Sequence, residues 1–121
     1  MDDKDYARLL GFARVVLGTG FMLMPRRAMR MAWGIDADPG VSALMRGMGG
    51  RDLALGVGLL AALDEGRARS WLEAGALADA SDAVGTLLSW GSLPRWRRLL
   101  VLGSAAGAAW LGLQLANELD D

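Results

Sequence analysis

Four long apolar segments alternate with short charged or proline-bearing connections along this chain. The clearest runs from Leu99 to Asn117, nineteen residues without an ionisable group, which meets the usual length criterion for a helix that crosses a bilayer. Tyr6 to Met24, Val41 to Leu63 and Trp71 to Trp90 are apolar stretches interrupted by a few charges each. Their ends are punctuated. Pro25 cannot continue a helical hydrogen-bond ladder and closes the first segment. Asp38-Pro39 reads as an N-cap followed by proline at the first helical position, and Ser92-Leu93-Pro94 opens the last segment in the same way. Between the first two segments, Pro25 to Trp33 predicts a short interfacial helical turn, basic on one side and Met-rich on the other. The Asp64–Ser70 linker is short and polar, which favours an antiparallel hairpin. The pattern predicts an all-α, integral membrane four-helix antiparallel bundle. It forms one domain over residues 1–121, with helices near 6–24, 39–63, 71–90 and 94–117.

The distribution of charge supports that reading. Lys4 is the only lysine among 13 basic residues, and there are three glutamates. A soluble bundle scatters Lys and Glu over its outer faces. Six arginines (Arg26, Arg27, Arg30, Arg95, Arg97, Arg98) fall between segments one and two and between three and four, while Lys4, Arg8, Arg67 and Arg69 fall at the other end. The positive-inside rule then puts the two basic loops in the cytoplasm and both termini outside. The leading residues Asp2, Asp3, Lys4 and Asp5 lack the positive region of a signal peptide, so the first segment reads as a retained membrane helix. Trp71 and Trp90 bracket the third segment about 28 Å apart at 1.5 Å per residue, close to the thickness of a hydrocarbon layer. Trp33 and Trp96 also sit at segment edges, whereas Trp110 lies inside the last.

Residue types that are missing narrow the chemistry. With no Cys and no His, disulfides, thiolate nucleophiles, imidazole catalysis and the common zinc and haem sites are excluded. A net charge of −1 gives no field to recruit nucleic acid. No cofactor, metal or nucleophile motif is present, so the expectation is a protein that is not an enzyme.

The informative residues are the ionisable ones inside the segments. A charge at the centre of a spanning helix costs at least about 2.5–3.5 kcal/mol and so needs a partner or a task. At about 100° per residue, Gly75, Asp79, Asp82 and Thr86 share one stripe of the third segment. Gly47, Arg51, Ala54, Gly58 and Ala62 share a face of the second, and Arg14 shares a face with Gly11 and Gly18 on the first. The simplest arrangement pairs Arg51, and with it Arg14, with Asp79 and Asp82, since one guanidinium fork can hold two carboxylate oxygens. Asp52 lies about 100° from Arg51 and is free to face another helix, the headgroups or a partner. This intramembrane cluster (Arg14, Arg51, Asp52, Asp79, Asp82) is either a structural latch or a solute or proton site.

Small residues supply packing surface. Gly103 and Gly107 form a GxxxG pair, and Ser104, Ala108, Gly112 and Ala116 continue a small row on an adjacent face; Gly47 and Gly58 do the same for the second segment. Two small faces on one helix exceed the needs of one neighbour and leave room for a second copy or another membrane protein. Three further patterns are weaker. Arg46-Gly47-Met48-Gly49-Gly50-Arg51 has the glycines and arginines of a phosphate cradle without the P-loop ending. Met22, Met24, Met29 and Met31 form soft-ligand pairs without Cys or His to complete a copper site. Asp79 and Asp82 could serve as acid and base, with no nucleophile beside them.

Gly11-x-x-Arg14-x-x-x-Gly18, Pro25, the run Gly47-x-x-x-Arg51-Asp52-Leu53-Ala54-Leu55-Gly56 and Asp79-x-x-Asp82 together resemble an uncharacterised family of small bacterial four-helix membrane proteins, loosely similar to DoxX-like proteins. The likeness covers nearly the whole chain and implies a four-helix membrane bundle with no established activity. DoxX-like relatives are associated with respiratory or redox complexes, and this chain carries no redox ligand, so the resemblance implies a companion subunit. The leading expectation is a non-catalytic accessory or assembly subunit, or a self-associating scaffold, with membrane lipid and another membrane protein or itself as partners. The alternative is a small transporter or binding protein that uses the Arg/Asp cluster for a proton, ion, solute or lipid headgroup.

Overall fold

The computed structural model describes residues 1–92 and 95–119, and every regular element among the described residues is helical. Helix α1 spans Asp3–Leu23, α2 Pro25–Trp33, α3 Pro39–Asp64, α4 Arg69–Leu88 and α5 Arg95–Glu118, with a 3₁₀ turn at Trp90–Ser92 before α5. Of the expected Ser92-Leu93-Pro94 start, Leu93 and Pro94 lie outside the described residues.

Local chemistry sets most of these boundaries. Asp2 and Asp5 form a reciprocal capping box that starts α1 at Asp3, three residues before the start near residue 6 that the apolar pattern suggests: Asp5 N–H donates to Asp2 Oδ1 at 2.9 Å, and Asp2 N–H to Asp5 Oδ2 at 3.2 Å. Met24 leaves helical geometry, and Pro25 then occupies the first position of α2. That helix stops at Gly34, whose left-handed backbone (φ 66°) suits glycine. Asp38 accepts the Val41 N–H at 2.8 Å, and Pro39 opens α3. Gly66, also at positive φ, turns the chain from α3 into α4.

The helices associate as two antiparallel pairs. α1 lies along α3, with Gly11 meeting Gly56 and Gly18 meeting Gly49. These glycines repeat every seven residues on each helix, so one seam of each faces the other. A Cβ on Gly18 would sit 2.5 Å from Gly49 O and from Leu53 N, and one on Gly56 would sit 2.7 Å from Gly11 O. Backbone therefore touches backbone, an approach that only glycine permits here. α4 lies along α5: Leu72 packs with Leu115 and Ala116 at one end, and Arg98 donates to the Trp90 carbonyl at 3.0 Å at the other.

Two layers join the pairs. Ala7, Leu59, Leu63, Ala68, Leu72, Leu115 and Ala116 form a small hydrophobic cluster at the end near the N-terminus. A turn or two further along come charged side chains. At the far end α2 folds inward with Met29 and Pro25 buried. Arg97 donates there to the Met31 carbonyl and, at 3.2 Å, to the Arg30 carbonyl, which also accepts the Gly34 N–H, so a cation sits on the last carbonyls of α2.

Burial is inverted relative to a water-soluble core. The interior is largely Ala, Gly and a few polar residues, whereas Leu9, Phe12, Val16, Leu77, Leu88, Trp110 and Leu113 are exposed. α1 and α5 are long and apolar enough to cross a membrane, with mean hydropathies of 1.2 and 1.6. α3 and α4 fall outside that measure because of Arg46, Arg51 and Asp52 on one and Glu73, Asp79 and Asp82 on the other.

The close approach of α1 and α3 carries a prediction. Gly18→Val should destabilise the purified protein by at least ~1–3 kcal/mol in denaturant unfolding, because neither backbone can retreat without opening the seam. Gly47→Ala, with nothing within 4 Å, should be neutral or stabilising by up to about 1 kcal/mol.

Candidate functional site

Arg14 lies on the inner seam of α1 between Gly11 and Gly18, and it is 7% exposed. The glycines bring α3 close on either side, and the guanidinium reaches across to α4. It rests over Gly75, where a Cβ would lie 2.7 Å from Arg14 Nη2. One turn beyond, Asp79 (8% exposed) receives it in a two-pronged pair: Nη1 donates to Oδ1 at 3.3 Å and Nη2 to Oδ2. The second carboxylate of the site comes from α3. Asp52 Oδ1 lies 3.7 Å from Arg14 Nη1 and accepts from Arg51 Nη2 at 3.2 Å. Arg51 also forks onto Asp82, with Nη2 to Oδ2 at 3.0 Å and Nη1 to Oδ1 at 3.4 Å.

The five charged residues singled out from the sequence therefore form one continuous network. The pairing differs in detail from the simplest expectation. Arg14 takes Asp79, Arg51 takes Asp82, and Asp52 bridges the two arginines. The reason is that α3 has two neighbours. Its Gly49, Asp52 and Gly56 side faces α1, while Arg51 and Gly58 turn toward α4, where Trp71 covers Gly58. Ala54 and Gly47, expected on the same inner face, are exposed. The network has two unlike halves. Arg14 and Asp79 are the more deeply buried pair; the side chains of Arg51 and Asp82 are 34% and 30% exposed.

Three carboxylates face two guanidiniums, so with all three ionised one negative charge is unmatched. It borders open space. A cavity of about 400 Å³ has Arg14, Asp52, Asp79 and Asp82 on its floor and Leu10, Leu17, Phe21, Leu100 and Val101 among its walls. A second, of about 340 Å³, lies between α2, α3 and α4 and shares Trp33 and Asp82 with the first. Trp33 leans against Phe21 (centroids 6.4 Å apart), and its indole N–H is buried without an acceptor, as is Arg51 Nε–H. Thr86 instead satisfies itself by donating to the Asp82 carbonyl at 2.8 Å. Trp33 was legible only as an interfacial aromatic, because nothing in its spacing shows that α2 folds back over the charges.

The remaining candidates separate cleanly. Gly112 packs on Ala76 and the Leu72 carbonyl, each 3.4 Å from a built Cβ, while Gly103 and Gly107 have nothing within 4 Å. The Arg46–Arg51 run is continuous helix within α3, with Gly49 against the α1 backbone, so it forms no phosphate-binding loop. Of the methionines, Met29 is buried whereas Met22, Met24 and Met31 are exposed, so no converging sulfur set exists among them. No group of three carboxylates among the described residues is arranged to hold a metal. Comparison with protein-family models, curated proteins and solved structures returns no match.

Because Arg14 lies directly over Gly75, Gly75→Val should displace the guanidinium and destabilise the protein by about 1–3 kcal/mol. In an Arg14→Ala background the same substitution should cost less than about 0.5 kcal/mol. Equal penalties in both backgrounds, measured by denaturant unfolding, would show that the arginine does not occupy this position.

Proposed function

We propose that this chain is a multi-pass membrane protein, a four-helix bundle in which the Arg14–Asp79 pair latches the helices together. The more open half of the network, Arg51, Asp52 and Asp82, binds a proton or a small cationic or hydrogen-bond-donating solute. The observation that carries the reading is the unmatched carboxylate on the floor of a cavity with apolar walls. An ionised group there needs a counter-charge or a proton, because low-dielectric surroundings penalise an excess charge. A ligand with a cationic or donor end and a small apolar body fits both surfaces.

The membrane setting rests on two features. Only 22% of the most apolar stretch of α1, and the same share of α5, is buried, whereas a soluble core helix buries most of its apolar side chains. The ends also differ in charge. One end carries Arg26, Arg27, Arg30, Arg46, Arg95, Arg97 and Arg98 against Asp36 and Asp38; the other is predominantly acidic. The basic end then faces the cytoplasm.

The two halves of the network are separable by substitution. Asp79→Asn should destabilise the protein in detergent by about 3–5 kcal/mol, because it leaves Arg14 buried without its main counter-charge. Asp82→Asn should remain folded and lose binding. The readout is the ¹⁹F resonance of 5-fluorotryptophan at Trp33, assigned with Trp33→Phe and titrated with protons or methylammonium. The wild-type resonance should move and that of Asp82→Asn should not. A Trp33 signal unmoved by either probe in the wild type would sink the binding role.

A second reading is favoured by one observation: among the described residues nothing lies within 4 Å of a Cβ built on Gly103 or Gly107 of α5. On that reading the protein is an accessory subunit or self-associating scaffold that docks through α5. Gly103→Leu with Gly107→Leu should then release the partner, as read by the mass of the intact complex in gentle detergent. Unchanged association would remove this reading.

A further inference from the structure

The basic end holds a separate cavity of about 570 Å³ where the end of α1 and the starts of α2 and α3 meet. Arg26, Arg27, Arg46 and Ser42 line it. Its charge is unusually free. Arg26 and Arg27 make no ion pair or hydrogen bond among the described residues. Among the described residues Arg46 donates only to the Met22 carbonyl. The nearby acids are engaged elsewhere, Asp36 with Arg30 and Asp38 with the Val41 N–H. Helix α2 has no side-chain cap at its N-terminus, so the backbone N–H groups of Arg26 and Arg27 add donors at this point. Ser42 is 9% exposed, and its hydroxyl is buried with no hydrogen-bond partner. An unpaired buried hydroxyl beside three arginines is a polar group without the partner that burial ordinarily demands.

What fits is a tetrahedral anion of the phosphate type, which offers several acceptors to guanidinium forks and backbone amides. The surroundings select its source. Arg27 and Met24 also border an apolar groove of about 430 Å³, whose other walls include Val16, Leu17, Phe21 and Met31. A phosphate-bearing head in the first cavity would lead directly to an acyl chain in the second.

From this juxtaposition we infer that the Arg26/Arg27/Arg46/Ser42 cavity binds the phosphate headgroup of an anionic phospholipid, whose chain lies in the groove along α1 and α2. The inference rests on the membrane setting proposed above and is independent of any solute at Asp82. It also gives the basic end a specific lipid contact in addition to a diffuse attraction to the anionic leaflet.

The test is native mass spectrometry of the purified protein after exchange into nanodiscs containing equal amounts of phosphatidylglycerol and phosphatidylcholine. The wild type should retain phosphatidylglycerol at least tenfold over phosphatidylcholine. Arg26→Gln with Arg27→Gln should lower that preference tenfold or more, and Ser42→Ala should lower it severalfold. Arg30→Gln with Arg95→Gln removes the same charge from the same end outside the cavity and should leave the preference intact. Equal loss in this control would reduce the site to bulk electrostatics and overturn the proposal. Displacement of the lipid by millimolar inorganic phosphate would overturn it in favour of a free-anion site. Carbonate-washed membranes are assayed in parallel. Protein that stays in the membrane without lipid preference overturns only the headgroup site; protein released to the supernatant overturns the membrane setting with it.

Discussion

The Arg14–Asp79 pair is the interaction on which the rest of the architecture depends. α1 and α3 hold each other through backbone contact, and α4 and α5 through Leu72, Ala76, Gly112 and Leu115. Between the pairs the apolar cluster is confined to one end. The middle is joined by side chains that cannot be left unpaired. A guanidinium seated on Gly75 and forked onto Asp79 fixes the axial position of α1 against α4, because a slip of one turn would strand both charges. Asp52 passes the constraint to Arg51, and Arg51 to Asp82. Glycine is what makes this geometry reachable: Gly11 and Gly18 remove the side chains that would hold α3 away from the seam in which Arg14 sits.

A charged middle layer has a consequence for packing. Large apolar side chains are few in the interior; Leu59 and Leu72 are the largest that are fully buried. Directional contacts therefore set helix register here, in place of the interdigitating volumes that set it in a water-soluble core. The same layer leaves room beside it. α1 and α5 meet only sparsely, and the cavity above Asp52 and Asp82 occupies the gap between them. The buried ion pair and the cavity beside it thus arise from one arrangement: Asp79 and Asp82 both line the cavity, and Asp82 is the more exposed of the two.

Much of this was legible in the sequence, to the level at which a single helix can be read. The shared face of Gly11, Arg14 and Gly18, the Asp79/Asp82 stripe, the Asp38-Pro39 start and the short helix after Pro25 all follow from periodicity and capping chemistry. Partner choice did not follow. A helical wheel gives the direction of a side chain on its own helix, and α3 has two neighbours, so Arg51 and Asp52 turn to different ones. A seven-residue spacing would have sorted them: Gly49 and Gly56 flank Asp52 as Gly11 and Gly18 flank Arg14. The tryptophans were harder. Trp71 and Trp90 are spaced like interfacial anchors, yet Trp71 covers Gly58 and the Trp90 ring lies under the Arg98 guanidinium at 4.7 Å. Such contacts depend on how helices are placed and leave no local trace.

The central claim is that a buried ion pair, more than apolar volume, sets the register of the helices. A double-mutant cycle on Arg14→Gln and Asp79→Asn, with unfolding free energy measured in one detergent, tests it most directly. The account predicts a coupling energy of about 1–3 kcal/mol between the two positions. Additive effects, with coupling below about 0.3 kcal/mol, would mean that each residue acts alone and that the helices are held by something else.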